Sequence, residues 1–368
     1  MRKNYIDNIR IVCILLLFPF HTSMIYNNWN EIFYITGIPL NLPSLFMSLV
    51  YPWWMTLLFT IAGISSAYAL KKRTPKEYAK ERVEKLVIPL LSGLILIIPA
   101  QSYIADVFHN GYSGGYFEHY TVFFTRFTYL TGQDGGFTPA HLWFMLYLFI
   151  ISMIMLPIIT WYNKHGKKID GSKVTLVKLL PLFLIILMLT PIIEIGGKSI
   201  GELLACFAMG YFLLSIDEVQ ERLEKNRILL IVIFSIVLII RGLMFKSENG
   251  EGLLWDIEQR MVTWFGILAI LGVGKRYLNH SNKLTAYFSK AAFPLYYFHQ
   301  TILVLVGFWA LKYIKFVWPQ FIVIMVVSFV LSVLCYELFR RIKVTCILFG
   351  IKYYRKLNLK STVNTMSK

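Results

Sequence analysis

Long apolar runs recur along nearly the whole of this sequence. A transmembrane helix needs about 20 mostly apolar residues, and a single soluble core stops growing at about 250–300 residues. The chain has 368 residues, of which 57% are hydrophobic and only 15% charged, so much of its apolar surface is predicted to face lipid. We predict an all-α, polytopic integral membrane protein with about ten transmembrane helices, at 9–26, 45–70, 86–108, 141–162, 176–195, 200–216, 228–245, 258–274, 286–311 and 316–339.

The fifth and sixth predicted helices are separated only by a short connection around Gly196 and Gly197, which indicates a helical hairpin. Basic residues alternate between loops in a way that supports the count. Cytoplasmic loops of membrane proteins carry an excess of Lys and Arg. With a cytoplasmic N-terminus, the inner segments hold most of them, including Lys71, Lys72, Arg73, Lys76, Lys80, Arg82, Lys85, Lys164, Lys167, Lys168, Arg222, Lys225, Arg227, Lys275 and Arg276.

The charge pattern predicts the orientation and the location of the protein. The net charge of +17 follows from the positive-inside rule, so we expect no nucleic-acid partner. Ten spans would return the C-terminus to the cytoplasm. We therefore predict a transmembrane domain at 1–340, a basic cytoplasmic tail at 341–368, and a multi-pass protein of the bacterial cytoplasmic membrane in contact with its lipids. The oligomeric state is not apparent from the sequence.

Aromatic residues concentrate on the predicted outer side. All nine tryptophans except Trp161 fall there, as an interfacial belt or as a stacking surface for sugar rings. The longest outer loop, 109–140, is rich in Gly and aromatics, and loops of this length are often either functional lids or disordered. Its apolar stretch 117–130 is predicted to form a short interfacial helix.

Ionisable residues at membrane depth are the first candidates for chemistry, because such groups are costly there and usually face a cavity. His21 lies deep in the first predicted helix, eleven residues after Arg10. At 100° per residue the two fall on nearly the same face, about 16 Å apart along the axis, and Asp7 precedes Arg10 by one turn. Pro19 is expected to kink the helix just before His21. The structural alternative is a histidine that hydrogen-bonds a neighbouring helix.

Further polar residues lie in the later helices. His141 opens the fourth helix beside Trp143, where it would line the outer mouth of a cavity or anchor the interface. His299 lies in the ninth helix, where interhelical hydrogen bonding and a role at the site are both possible. Glu337, near the inner end of the last helix, would either pair with Arg340 or Arg341 or orient a histidine across the bundle.

A basic patch marks the first inner loop. Arg82 and Lys85 are three residues apart on one predicted helical face, and Arg73 lies nearby. The patch is either ordinary positive-inside charge or a cradle for a phosphate-bearing cytoplasmic ligand. The sequence has no Walker A loop and no HExxH motif, and its four cysteines form no zinc or disulfide pattern. We predict no metal and no permanently bound cofactor.

An ordered set of motifs is similar to a known family. The segment NYIDNIR, followed after ten residues by His21, resembles the opening of the membrane acyltransferase family 3. The segments PFHTSMIY, RVEKLVIP, HLWF and PLYYFH, which begin at Pro19, Arg82, His141 and Pro294, resemble its glucan biosynthesis protein C branch, which consists of glucan succinyltransferases. The resemblance extends from about Tyr5 to Phe339.

The resemblance implies transfer of an acyl group across a membrane. Members take a short acyl group, such as acetyl or succinyl, from cytoplasmic acyl-CoA and pass it to a hydroxyl, commonly of an extracytoplasmic carbohydrate. It implies that His21 is the catalytic histidine and Arg10 its paired arginine, with Asp7 on the same face. The family's acidic residue in the last helix would fall on Glu337.

The resemblance also assigns binding roles. The family's basic Arg-x-x-Arg pair falls on Arg82 and Lys85, which with Arg73 would bind acyl-CoA as the acyl-donor co-substrate. Lys85 departs from the pattern, since Lys neutralises phosphate but lacks the bidentate fork of Arg. His141, Trp143 and His299 are the predicted substrate-binding residues.

Simple chemistry agrees with this interpretation. A sugar hydroxyl is a weak nucleophile, and a neutral imidazole can remove its proton as the oxygen attacks a thioester. The main alternative is a non-catalytic transporter or flippase of a lipid-linked glycan, which would use the same cavity without acyl-CoA.

Overall fold

The structure is a computed structural model that describes residues 3–29, 31–127, 134–245 and 252–353. In these ranges the secondary structure is helical apart from one short β-ribbon. The α-helices are α1 (Asn4–Leu15), α2 (Leu17–Ile25), α3 (Asn41–Leu70), α4 (Pro75–Arg82), α5 (Ile88–Leu96), α6 (Ile98–Asn110), α7 (Tyr116–Thr125), α8 (Trp143–His165), α9 (Leu176–Leu179), α10 (Phe183–Leu189), α11 (Ile200–Met209), α12 (Asp217–Lys225), α13 (Arg227–Met244), α14 (Leu253–Tyr277), α15 (Lys283–Tyr313), α16 (Val317–Phe339) and α17 (Lys343–Leu348).

Within the described residues, eight helical segments are long and apolar enough to cross a membrane. They are Asn4–Ile25, Asn41–Leu70, Pro75–Asn110, Ala140–His165, Arg227–Met244, Leu253–Tyr277, Lys283–Tyr313 and Val317–Phe339. Each coincides with one predicted span, and the all-α membrane class is confirmed. The third begins earlier than predicted because Thr74 and Glu77 form a capping box and Pro75 occupies the first helical turn.

The predicted fifth and sixth spans form a hairpin of two shorter helical segments. Leu176–Leu189 is about 21 Å long at 1.5 Å per residue, which is less than the hydrocarbon core of a bilayer. It ends well before the predicted residue 195, since Pro191 has no N–H with which to continue the helical hydrogen bonds. Ile200–Leu214 forms the return segment and meets α12 at 97°.

The hairpin turns through the strands β1 (Glu194–Ile195) and β2 (Lys198–Ser199), which pair antiparallel. Gly196 and Gly197, the two residues between the strands, have φ angles of 54° and 70°. A two-residue turn with both φ angles positive is the hairpin type that favours Gly at these positions. The glycine connection that the sequence indicates is thus the turn itself.

Close helix contact at small residues holds the centre of the bundle together. A Cβ added at Gly63 of α3 would lie 2.1 Å from the Phe207 carbonyl oxygen, and one added at Gly210 would lie 2.2 Å from that of Thr60. Backbones approach this closely only at glycine, which is how helices in lipid gain packing energy. These contacts lock the hairpin against α3.

The last spanning helix, α16, has several polar residues on the face that is buried in the bundle and apolar residues on the exposed face. Its buried residues recur every four positions and are Gln320, Ile324, Ser328, Ser332 and Tyr336. This stripe faces α15, while the large apolar side chains between its members are exposed. Such a pattern suits a helix whose outer surface meets lipid.

The long loop before α8 contains the predicted interfacial helix. The structure places a helix at Tyr116–Thr125, within the predicted stretch 117–130 apart from its first residue, and the segment 128–133 lies outside the described residues. Asp106 of α6 anchors this helix through bonds to His119 at 3.1 Å and Arg126 at 3.1 Å. The loop is therefore fixed to the bundle through a buried carboxylate.

Candidate active site

Three histidines from distant parts of the sequence meet inside the bundle, and we call His21, His141 and His299 the histidine cluster. The ring centroids of His21 and His299 lie 4.9 Å apart with the rings 25° from parallel. The rings of His141 and His299 lie 5.0 Å apart at 76°. The sequence singled out each residue separately, and the structure brings them together.

His21 lies on α2 just after a break in the first spanning helix. Helix α1 ends at Leu15 and α2 begins at Leu17, so the break lies one turn before Pro19. Pro19 has no N–H to give to the carbonyl four residues earlier, which explains this position. Both ring nitrogens of His21 are shielded from solvent and have no hydrogen-bond partner among the described residues. The imidazole thus packs against aromatic rings, and neither of its nitrogens is engaged in a hydrogen bond with a described residue.

His141 is held against α15 by two hydrogen bonds. The Nε2 of His141 lies 2.9 Å from the Tyr297 carbonyl oxygen. The Tyr296 hydroxyl donates to the backbone carbonyl of His141 at 2.7 Å. The preceding residue, Ala140, has a φ of 45°, a conformation that costs energy for a non-glycine residue. Strained backbone of this kind is a feature of functional sites, where the surrounding contacts fix it.

The backbone bonds also fix the tautomers of two rings. His299 is fully buried, and its Nδ1 lies 2.6 Å from the Tyr296 carbonyl oxygen. A carbonyl only accepts, so His299 carries a proton on Nδ1 and His141 carries one on Nε2. In the neutral rings, His299 Nε2 and His141 Nδ1 are lone-pair acceptors, and neither has a hydrogen-bond partner among the described residues. No group of three His, Cys, Asp or Glu side chains in the described ranges is arranged to hold a metal ion.

A cavity of about 240 Å³ opens in front of His21 and His141, and we call it the histidine cavity. Its wall is largely aromatic, with a carboxylate and an ammonium group at separate positions. The lining residues are Leu17, Phe20, His21, Met24, Trp29, Glu31, Phe33, Tyr51, Trp54, Met55, His141, Trp143, Lys198 and Tyr296. An apolar cavity with few convergent polar groups is the usual form of a small-molecule site.

Arg10 and Asp7 lie nearer the start of the first spanning helix. Arg10 Nη1 binds the Asp7 carboxylate at 3.0 Å, and its Nη2 binds the Ser65 hydroxyl of α3 at 3.1 Å. The shared face that the sequence predicts for Asp7 and Arg10 is present as an ion pair. This pair ties α1 to α3 on the side of the bundle where the basic loops lie.

The basic patch divides into two parts. Arg82 Nη2 binds the Ser66 hydroxyl at 2.9 Å, and its guanidinium lies 4.8 Å from the centre of the Tyr78 ring. Lys85 instead pairs with Glu81, which also binds Arg73 at 2.8 Å. Lys85 lies within a π-helical turn, Val83–Val87, which begins directly after Arg82. Because Ser65 and Ser66 are neighbours, Arg10 and Arg82 approach α3 at the same level.

Glu337 has the partners of the ion-pair alternative. Its carboxylate binds Arg340 at 2.7 Å and Arg341 at 3.8 Å, and it accepts a hydrogen bond from the Tyr287 hydroxyl at 2.8 Å. These partners lie near the N-terminal end of α15 and just after the C-terminal end of α16. The carboxylate therefore joins two helix ends, and the structure does not bring it to the histidine cluster.

Sequence reasoning missed several residues of the cavity wall, among them Lys198 and Tyr51. Lys198 Nζ donates to the Tyr51 hydroxyl at 3.0 Å and lies 5.6 Å from the centre of the Trp143 ring. Burial by itself lowers the pKa of Lys198, but the Tyr51 hydroxyl beside it raises that pKa above the ordinary value. One signal was available, since Lys198 is among the few basic residues of the predicted outer loops.

Known proteins match the chain over nearly its whole length. The profile of an acyltransferase domain family, acyltransferase 3, matches residues 3–337. Glucans biosynthesis protein C of Salmonella typhimurium is 22% identical over 391 residues, which cover 98% of each chain. The proteins of the same name from Salmonella paratyphi B and Salmonella enteritidis are 23% identical over 380 residues, 95% of each chain.

No protein of known three-dimensional structure matches the sequence. The profile match spans most of the described bundle, from the residue before α1 to Glu337 in the last turns of α16. It includes all three members of the histidine cluster together with Arg10 and Arg82. This protein belongs to the acyltransferase 3 family of membrane proteins.

Proposed function

We propose that this protein is a membrane O-acyltransferase that moves a short acyl group, acetyl or succinyl, from cytoplasmic acyl-CoA to a hydroxyl of an extracytoplasmic carbohydrate. The observation that carries the proposal is His21, whose two ring nitrogens are free of hydrogen bonds inside a cavity that also presents His141. Glucan-related names of the relatives support a carbohydrate acceptor.

The chemistry follows from a neutral imidazole beside a thioester. A nitrogen of His21 removes the proton of the acceptor hydroxyl as its oxygen attacks the thioester carbonyl carbon. The new C–O bond forms, the C–S bond breaks, and the proton passes from the imidazolium to the departing CoA thiolate. His299 stacks on the His21 ring. Because the Nδ1 of His299 is bound to the Tyr296 carbonyl, the His299 ring is fixed and supports the orientation of the base.

The donor would enter from the basic side of the bundle. Coenzyme A carries phosphates, which Arg binds in bidentate fashion and Lys as a point charge. Arg10 and Arg82 meet adjacent serines of α3, which supports a phosphate or pantetheine site at that level. Asp7 positions Arg10, while Arg73 and Lys85 share Glu81 at the entrance.

The membrane arrangement in this proposal has ten crossings with both termini in the cytoplasm of a bacterial cell. The positive-inside distribution of the loops supports it. The acceptor would then reach the histidine cavity from outside, where the aromatic wall lies. The donor would reach it from the side of Arg10.

The direct test compares surface glycans from cells that express the wild type or His21→Ala, at matched membrane levels. A suitable control is His165→Ala, which removes an exposed histidine at the inner end of α8. We expect a base-labile acyl mass on the glycan with wild type and His165→Ala. With His21→Ala it should fall by about 10²- to 10⁴-fold, the usual contribution of a general base.

An undiminished ester with His21→Ala would remove His21 from the chemistry. Loss of glycan export in that variant, with no ester in any sample, would instead favour the flippase alternative. The mass difference in the wild-type sample identifies the acyl group.

A further inference from the structure

A second cavity of about 180 Å³ lies beside the histidine cavity, and we call it the side chamber. The two share a wall made of Tyr51, Met55, Trp143 and Lys198. The rest of the side chamber comes from the hairpin, from Pro52 and Thr56 of α3, and from α14, which adds Gln259 and Arg260. Its volume equals that of about six water molecules, the scale of one monosaccharide ring.

Charges in the side chamber balance. Lys198 and Arg260 are basic, whereas Glu194 and Glu202 are acidic, and all four line it. Arg260 forms an ion pair with Glu202, and both side chains are largely buried. The positive groups are therefore offset by carboxylates, so the side chamber offers little attraction to a phosphate or a carboxylate ligand.

The wall nevertheless offers many hydrogen-bonding groups. Carboxylates accept, guanidinium and ammonium groups donate, and the Gln259 amide does both. The buried Nε of Arg260 has no hydrogen-bond partner among the described residues. The rings of Tyr51 and Trp143 belong to the wall shared with the histidine cavity. A lipid tail would leave these polar groups unpaired, whereas a polyhydroxylated ring would pair with them.

We infer that the side chamber binds the sugar unit next to the one that is acylated, and that it selects a neutral sugar over an anionic one. This inference rests on the proposed function for the position of the reacting hydroxyl. The shared wall lets one oligosaccharide extend from the histidine cavity into the side chamber. The balanced charges then disfavour a uronic acid or a phosphorylated sugar at that position.

The test measures binding of the purified full-length protein in lipid nanodiscs to an array of neutral and anionic oligosaccharides. We expect neutral members to bind and Gln259→Ala to weaken them about tenfold, as for one lost hydrogen bond to a ligand. Glu194→Gln, on an exposed strand, removes one negative charge and should raise anionic binding relative to neutral about threefold. The matched control is Asp256→Asn on exposed α14 surface, which should change neither.

Three results would overturn the inference: preference for anionic glycans by the wild type, unchanged binding by Gln259→Ala, or no bound glycan at all. Retained folding of each variant is checked by its thermal unfolding in the same nanodiscs. The binding assay contains no acyl donor, so its result does not depend on the acyl-transfer step. The glycan ester comparison with His21→Ala fails or succeeds independently, so the two hypotheses are tested apart.

Discussion

At the residue scale, two of the three rings in the histidine cluster, those of His141 and His299, are held in place by hydrogen bonds to backbone carbonyls. His299 donates its Nδ1 proton to Tyr296 and stacks on His21, so it sets the plane in which the His21 ring lies. It touches the base rather than the cavity and is therefore a positioning residue. Loss of this ring frees His21 to rotate within the space that it leaves.

We predict that His299→Ala lowers kcat by about 10²-fold, the cost of misplacing a reacting group by about 1 Å, with little change in KM. His299→Asn keeps a short side chain with an N–H donor for the Tyr296 carbonyl and should recover part of the rate. Acyl transfer rates and pH–rate profiles of purified variants provide the measurement. An equal loss of folded protein in both variants, with normal kcat in what remains, would show that the ring is only structural.

Single residues of the site were predictable where a polar side chain interrupts an apolar run, because the free-energy cost of placing it in the membrane can be recognised from the neighbouring residues alone. His21, His141 and His299 each stand out from an apolar run without knowledge of the fold. Their convergence depends on how α2, α8 and α15 pack, which no sequence period contains. Lys198 was missed for the same reason, because only tertiary packing places it against Tyr51 and Trp143.

At the scale of elements, packing of α3 against the hairpin depends on glycines. Gly63→Ala places a methyl group 2.1 Å from a backbone oxygen, which only a backbone shift can relieve. We predict a loss of about 1–3 kcal/mol in the free energy of unfolding, as for other overpacked sites. The control is Gly242→Ala in α13, where the added Cβ meets nothing within 4 Å.

Gly242→Ala should be neutral or stabilising by about 0.5–1 kcal/mol, because alanine favours helix. Thermal unfolding of both variants in detergent, followed by size-exclusion chromatography, gives the comparison. Equal melting temperatures for Gly63→Ala and wild type would mean that the helices separate freely at this crossing.

The docking of α7 to α6 is predicted to weaken in acid. Burial lowers the pKa of His119 despite the neighbouring Asp106 carboxylate, and the nearby Arg126 lowers it further. The unfolded segment then binds a proton more readily than the folded one below the ordinary histidine pKa of about 6.5. Its stability is complete above that pH and declines as the pH falls toward the lowered value.

In His119→Gln this proton-linked decline should be absent, so its melting temperature should drop less than that of wild type between pH 7.5 and pH 5.5. Limited proteolysis after Arg126 at each pH reports the same opening locally. A wild type that becomes more stable on acidification would mean that His119 is protonated beside Asp106 in the folded state.

Element positions were largely predictable because each spanning helix satisfies its own backbone and needs only a local run of apolar residues. The hairpin was harder, since a helix of 14 residues and one of 20 share the same apolar composition. Its length is set by Pro191 and by the strand pairing that follows. The charged segment that begins at Asp217 marks the end of the return segment, but hydropathy does not give the 97° angle between Ile200–Leu214 and α12.

For the whole molecule, the decisive question is which side of the membrane the hairpin turn faces. Eight and ten crossings both return the chain to the side where it began, so the position of the C-terminus does not distinguish them. The side on which the hairpin turn lies does distinguish eight crossings from ten. Lys198 in the turn contacts Tyr51 and Trp143, so the turn lies at the same end of the bundle as the histidine cavity. If acceptor glycans enter there, the turn must be reachable from outside.

We predict that a single cysteine at Glu194 reacts with a membrane-impermeant maleimide added to intact cells, in a background from which Cys13, Cys206, Cys335 and Cys346 have been removed. Glu194 is exposed on β1, so labelling needs no opening of the bundle. A cysteine at the exposed Lys168, before the hairpin, should react only after the cells are permeabilised. Labelling of both positions only after permeabilisation would leave a hairpin that enters and returns on the inner side, and the side chamber would then have no route for a glycan from outside.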